Sequence, residues 1–146
     1  MKLLFDTNVI LDVLLDRTPH AQGSSRAMGI VEVGQATGYL GATTITTIHY
    51  LASKAVGAEL AFKSIEQLLA IMEIAAVNRS VLEDALGLGF SGYEDAVLHE
   101  AARHAGVDAI VTRDPRGFSK ASLPVLSPTE LLAILEAKEN GDQERI

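Results

Sequence analysis

A chain of 146 residues, 48 % of them hydrophobic, has the length and apolar content of one domain with one sizeable core. Without cysteine it has no disulfides, thiolate metal ligands or cysteine nucleophile, and no apolar run reaches the ~18 residues of a bilayer span, so a cytoplasmic protein is expected. A net charge of -7 argues against non-specific nucleic-acid binding driven by bulk charge, because phosphate contacts need clustered cations, but leaves room for a nuclease whose positive charge is a metal ion.

Met1-Lys2-Leu3-Leu4-Phe5 meets the acidic Asp6 too early for a secretory segment. Leu3 to Phe5 is a short apolar run that ends in Asp6-Thr7-Asn8, suited to capping a helix over Val9 to Leu15. Thr18-Pro19 breaks that helix, and His20 to about Gln35 reads as a second one, stopped by Gly38. Tyr39 to Ala42 is a short buried strand, and Thr43 to Ala55 a helix closed by Gly57. Leu60, Ile65, Leu68, Leu69 and Met72 give Glu59 to Ile71 an amphipathic helical pattern.

Ile74 to Val77 is a strand, Ser80 to Leu88 a short helix and Gly89 to Gly92 a loop. Tyr93 to Ala105 is a helix ended by Gly106, Ala109 to Thr112 the clearest strand, and Pro115 to Ser122 a loop. Val125-Leu126 is a last short strand before a helix over Pro128 to Ala137. Residues 1–138 read as one domain, and 139–146 as a polar, frayed tail. Strands alternating with helices predict an α/β fold: a central parallel sheet of about five strands flanked by helices on both faces.

Open α/β sheets bind ligands beyond the carboxyl ends of their strands, where the strand order reverses. Asp6 follows the first strand and Asp114 the strand ending at Thr112. Asp95 lies in the first turn of the helix leading into that second strand, so it returns to the same edge. Carboxylates gathered there repel one another unless a cation is present, and hard oxygen ligands suit Mg²⁺ or Mn²⁺. Such an ion acidifies water and stabilises charge on phosphorus, so the implied chemistry is phosphodiester hydrolysis.

Each residue also has a plainer role. Asp6 can belong to a helix cap with Thr7 and Asn8, and Ser91-Gly-Tyr-Glu94 matches a capping box. Asp95 can favour the helix dipole or pair with His99 and Arg103, and Asp114 before Pro115 can start a turn. His20, His99 and His104 are read as solvated helix faces, and Ser24, Ser25 and Ser91 lack a nucleophile-elbow context.

These residues resemble the PIN-domain family, which includes the VapC-like toxin ribonucleases of VapBC-type toxin–antitoxin pairs. The similarity runs from Lys2 to Leu135. Leu-Leu-Phe-Asp6-Thr7-Asn8-Val-Ile-Leu-Asp12 resembles the family's first strand and leading aspartate; Tyr93-Glu94-Asp95-Ala96 looks like the acidic helix start, and Ile110-Val-Thr-Arg-Asp114 like the last acidic position. Leu123-Pro-Val-Leu-Ser-Pro-Thr-Glu-Leu-Leu is similar to the closing strand and helix. The resemblance implies a three-layer fold with the first and fourth strands adjacent. It also implies Mg²⁺- or Mn²⁺-dependent endoribonuclease activity, homodimerisation and an antitoxin partner.

One position departs. Where members carry a glutamate on the helix after the second strand, this chain has His49. Either His49 contacts metal or phosphate, or the carboxylate count is reduced and Glu94 compensates.

The leading expectation is a ribonuclease with Asp6, Asp95 and Asp114 catalytic and Glu94 an added metal ligand. Thr7, Asn8, His49, Arg113 and Arg116 are the expected substrate contacts, with Lys120 nearby; a solvated basic loop is the plainer reading of the cations. One rival is a catalytically weakened module that binds RNA or protein, and turnover separates the two. Another is a phosphotransferase with Asp6 as covalent nucleophile, for which Asn8 stands where a second aspartate is needed.

Overall fold

The strands carry apolar residues on both faces, which a sheet tolerates only when both faces are covered. In the computed structural model, which describes residues 1–144, β1 (Lys2–Phe5) sends Leu3 and Phe5 into one core and Leu4 into the other, all fully buried. Then come α1 (Thr7–Leu14), α2 (Ala21–Glu32), β2 (Thr37–Gly41), α3 (Ala42–Val56) and α4 (Ala58–Ile71). After β3 (Glu73–Ala75), α5 (Arg79–Leu86) and α6 (Tyr93–His104) lead to β4 (Ala109–Val111). A 3₁₀ turn over Pro115–Phe118, β5 (Val125–Leu126) and α7 (Pro128–Glu144) complete the order.

The five strands are parallel in the order β3-β2-β1-β4-β5, so the expected adjacency of the first and fourth strands holds. The register sets Phe5 beside Val111 and Leu4 beside Tyr39. One core joins Leu3, Phe5, Leu40 and Val111 to side chains of α1–α4 and α7, among them Ile10, Val31, Ile48, Leu68 and Leu131. The other joins Leu4 and Ile110 to Val81 and Ala85 of α5 and to Val97, Leu98 and Ala101 of α6. The result is the expected three-layer α/β fold. Order reverses between β1 and β4, and the crevice there is the place this topology reserves for a ligand.

Several boundaries differ for local reasons. α2 ends at Glu32, earlier than Gln35, because Gly34 adopts a φ of 80° that breaks the helix. Gly38 is therefore not a helix stop. It lies inside β2, where a Cβ would meet Met72 Sδ at 2.5 Å and Val31 Cγ2 at 2.9 Å. The expected strand at Ile74–Val77 is Glu73–Ala75. Pro115–Phe118 is ordered because Phe118 is buried in the second core. α7 runs through Glu144, past the expected end at Ala137, so the polar stretch from residue 139 is helical as far as it is described. Residues 145 and 146 of the expected tail lie outside the described residues.

The close approach at Gly38 makes Gly38→Ala an overpacking change. Urea unfolding is expected to find a loss of about 1–3 kcal/mol, whereas a loss below about 0.5 kcal/mol would mean that Met72 and Val31 yield freely.

Candidate active site

Asp6 is the residue around which the crevice is built. The strand continues one step past Phe5, since the Asp6 amide donates to the Val111 carbonyl at 2.9 Å. Asp6 is then the N-cap of α1: its Oδ1 accepts the Thr7 amide at 2.8 Å. The cap is Asp6 itself, not its polar neighbours. The second oxygen, Oδ2, accepts the Thr112 hydroxyl at 2.8 Å. Thr112 Oγ1 also accepts the Asp114 amide at 3.1 Å, so one buried hydroxyl positions both aspartates. Asn8 closes the frame: its Nδ2 donates to Thr112 Oγ1 at 3.3 Å, and its Oδ1 accepts the Arg113 amide at 3.2 Å.

Asp95 arrives from the other side. α6 starts at Gly92 without a side-chain cap, so the capping box suggested by Ser91 and Glu94 does not form. Glu94 and Asp95 instead line, with Asp6, Thr7, Asn8, Arg17, Arg113 and Asp114, a cleft of about 320 Å³. Gly117 backs Asp95 so closely that a Cβ there would overlap Asp95 Oδ2. Of the predicted site residues, the fold thus brings together Asp6, Glu94, Asp95, Asp114, Thr7, Asn8 and Arg113. Arg116 stands at the rim, its Nε on Asp114 Oδ1 at 3.0 Å, and is 90 % exposed. His49 does not line the cleft: its ring lies 4.4 Å from that of Phe62.

Burial pushes the Asp6 carboxyl above its ordinary value, against the Thr112 and Thr7 hydrogen bonds that favour the anion, and the Asp114 charge adds to the rise. Asp95 is also raised, first by burial and then by the charges of Asp6, Glu94 and Asp114. Asp114 is held low by its hydrogen bond to Arg116. The cleft therefore holds more negative charge than its own groups neutralise. Thr7 Oγ1, buried in the same lining, has no hydrogen-bond partner among the described residues. Hard oxygens, raised pKa values and an unpartnered hydroxyl fit a hydrated Mg²⁺ or Mn²⁺.

Sequence reasoning missed Asp12. Six residues after Asp6 on an otherwise apolar helix, it is completely buried. Arg17 Nε reaches Asp12 Oδ1 at 3.0 Å, the Ser24 hydroxyl donates to Oδ2 at 3.2 Å, and Arg113 grips both oxygens through Nε and Nη2. Two cations on the cleft wall are thereby fixed from below. The clue was a charge in the apolar helix of Val9 to Leu15, which has no other polar residue between Asn8 and Asp16.

His99, expected on a solvated face, is buried. Its Nε2 accepts the Ser122 amide at 3.1 Å, and its Nδ1 meets Glu100 Oε1 at 3.1 Å. Ser122, His99 and Glu100 have the connectivity of a nucleophile relay, but the Ser122 amide already occupies the base nitrogen. The chain of bonds fastens a loop to α6. Burial pushes Glu100 up, yet its bonds to Arg103 and His99 outweigh this and hold it below its ordinary value. Asp84, Glu100 and His104 also converge, but the Arg103 guanidinium already bridges the two carboxylates. Asp95 pairs with neither His99 nor Arg103.

A family model described as PIN domain matches residues 2–116. Among solved structures, VapBC2 from Rickettsia felis, bound to a DNA fragment from its promoter, superposes with a TM-score of 0.69 at 15 % identity, covering 87 % of this chain and 98 % of that one. A toxin–antitoxin complex from Klebsiella pneumoniae gives 0.66 at 19 % identity, over 86 % and 97 %. VapC20 of Mycobacterium tuberculosis, a sarcin–ricin-loop-cleaving toxin, gives 0.65 at 11 % identity, over 80 % and 93 %. No curated protein matches the chain in sequence.

Two outcomes follow from the electrostatics. Asp12→Ala strands two arginines around a vacated buried position, and urea unfolding is expected to find about 3–5 kcal/mol lost. The second concerns pH. A carboxyl whose folded pKa is raised costs stability as pH climbs from its unfolded value through the folded one. In metal-free buffer, Asp95→Asn is therefore expected to melt a few degrees above the parent at about pH 7, with the gain vanishing near pH 4. An equal gain at both pH values would show that charge is not its source.

Proposed function

The chain belongs to the PIN-domain family, and from that premise we propose that it is a metal-dependent endoribonuclease that hydrolyses RNA phosphodiester bonds. The observation that carries this reading is the convergence of Asp6, Asp95 and Asp114, with Glu94 beside them, in one cleft at the carboxyl ends of β1 and β4. Asp6, Asp95 and Asp114 would hold Mg²⁺ or Mn²⁺, and Glu94 restores the carboxylate count that His49 leaves short. The bound ion supplies an acidified, oriented water and neutralises charge developing on phosphorus.

The rest falls to the chain's own groups. Thr112 and the Thr7 amide fix the two oxygens of Asp6, so the carboxylate cannot rotate away. Arg17 and Arg113, anchored on Asp12, face the cleft with the charge that a phosphate needs. Asn8 holds the frame of the site, bridging Thr112 and the Arg113 amide. RNA as the substrate is supported by analogy with the sarcin–ricin-loop-cleaving toxin. Glu94 in the cleft favours turnover over the weakened binding module.

We infer three further properties. An antitoxin partner is supported by the complexes from Rickettsia felis and Klebsiella pneumoniae. A homodimer is supported by the α3–α4 hairpin, which leaves Tyr50, Leu60, Phe62 and Leu69 half or more exposed. A cytoplasmic location follows from an RNA substrate; no helix among the described residues is long and apolar enough to cross a membrane.

The test is cleavage of a panel of structured RNAs with Mn²⁺, Mg²⁺ or EDTA, comparing the parent with Asp6→Asn. Cleavage is expected to need metal and to fall at least about 100-fold in the variant, since even outer-shell partners of a metal are worth up to that much. Folded, metal-loaded protein that cuts none of the RNAs faster than Asp6→Asn would overturn the reading in favour of a binding module. Sedimentation finding only monomer at micromolar concentration would remove the homodimer.

A further inference from the structure

A second cavity adjoins the carboxylate cleft. It is a groove of about 490 Å³ between α2 and the start of α7, lined by His20, Ser24, Arg26, Arg113, Ser127 and Thr129 among others. Arg113 lines both cavities, so the groove begins where the cleft ends. We infer that this groove holds the phosphate backbone of the RNA next to the bond being cut, with Arg26 and Arg113 as its cations. The inference rests on the ribonuclease reading above and assigns that substrate a path.

The chemistry of the lining singles out an anionic ligand. In a chain of net charge -7, none of the groove's lining residues is a carboxylate. Most arginines elsewhere are consumed: Arg79 by Glu83, Arg103 by Glu100 and Asp84, Arg116 by Asp114. Arg26 is exposed and has no ion-pair partner among the described residues. Arg113 is bound to Asp12 through Nε and Nη2, which leaves Nη1 without a hydrogen-bond partner among the described residues and the fork already oriented. An arginine fixed in place loses little entropy on meeting a phosphate oxygen. Ser127 and Glu130 cap the start of α7 reciprocally, so the side chains rather than the helix end carry the recognition.

A phosphodiester backbone fits better than an acidic peptide because of continuity. Whatever enters the groove leaves it, across Arg113, into a cleft of carboxylates that repels acidic side chains. A nucleic-acid strand meets both demands, since its phosphate there would be held over the bound cation.

The experiment measures binding of a fluorescein-labelled single-stranded RNA of about a dozen nucleotides to the Asp6→Asn chain over a range of salt. Arg26→Ala added to that chain is expected to weaken binding about 3- to 10-fold. It should also flatten the slope of log K against log salt by about 0.7, the value for one lost phosphate contact on a single strand. Arg26→Lys should recover most of the slope. Lys63→Ala, which removes the same charge from the exposed face of α4, should change neither quantity. An Arg26→Ala slope equal to that of its background overturns the groove. If Arg26→Ala instead weakens only a poly-glutamate peptide, the groove belongs to an acidic protein partner. The cleavage assay separates the two readings. A parent that cuts RNA while Arg26→Ala leaves the salt slope intact sinks the groove alone. A parent that neither cuts nor binds RNA sinks both.

Discussion

Phe5 pairs with Val111 at the carboxyl end of two parallel strands that lie more than a hundred residues apart in sequence. The site depends on that register. It puts the Asp6 amide on the Val111 carbonyl, and it brings the Thr112 hydroxyl within 2.8 Å of the Asp6 carboxylate. A slip of one residue would turn Leu3 and Phe5 toward the wrong core and carry Asp6 away from Thr112. The apolar alternation that fixes the register is therefore also what aims the aspartates. Packing and chemistry are selected by the same side chains.

The register gathers charge that the fold must then manage. Two means are visible. Groups of opposite sign are placed at the margins, with Arg116 on Asp114 and with Arg17 and Arg113 on the buried Asp12. At the centre, Asp6 is surrounded by neutral donors, a hydroxyl and an amide, which orient it without cancelling its charge. Asp12 is the more demanding element. A buried carboxylate is tolerated only when paired and hydrogen-bonded, and Arg17, Arg113 and Ser24 together meet that condition. Its return is geometric: the strand-end loop carrying Arg113 and Asp114 is tied to α1, so the arginines and the cleft carboxylates share one rigid support.

Much of this is legible in the sequence. Alternating strands and helices give the three layers; strand-end position singles out Asp6 and Asp114, and the start of the helix that returns to the same edge singles out Asp95. What the sequence hides are facts of side-chain environment. Asp12 and His99 look like ordinary helix residues because their partners are distant: Arg113 for one, the Ser122 amide for the other. Gly38 reads as a helix stop and Gly117 as one residue of a loop, yet at each a neighbour comes close, Met72 in one case and Asp95 in the other. Ser91-Gly-Tyr-Glu94 matches a capping box by type, but the N-cap of the helix is Gly92, one residue later, and Glu94 is left to line the cleft. Local patterns set what a residue can do; the tertiary neighbour decides which of those it does.

The net charge of -7 is compatible with the nucleic-acid substrate proposed here if the attraction is local. Long-range steering of RNA toward an acidic protein is weak, and beyond a Debye length of about 10 Å the surface is screened in any case. At closer range the cavities divide the work. The cleft presents carboxylates, which in the proposed reading would hold a cation and, through it, one phosphate. The groove presents arginines with no carboxylate among its lining. Arg113 belongs to both, and its hold on Asp12 ties the boundary between them to α1. A strand laid across that boundary would meet positive charge on either side of the residue that separates them. Under the proposed reading, binding of this kind rewards fit along a few nucleotides more than sheer charge.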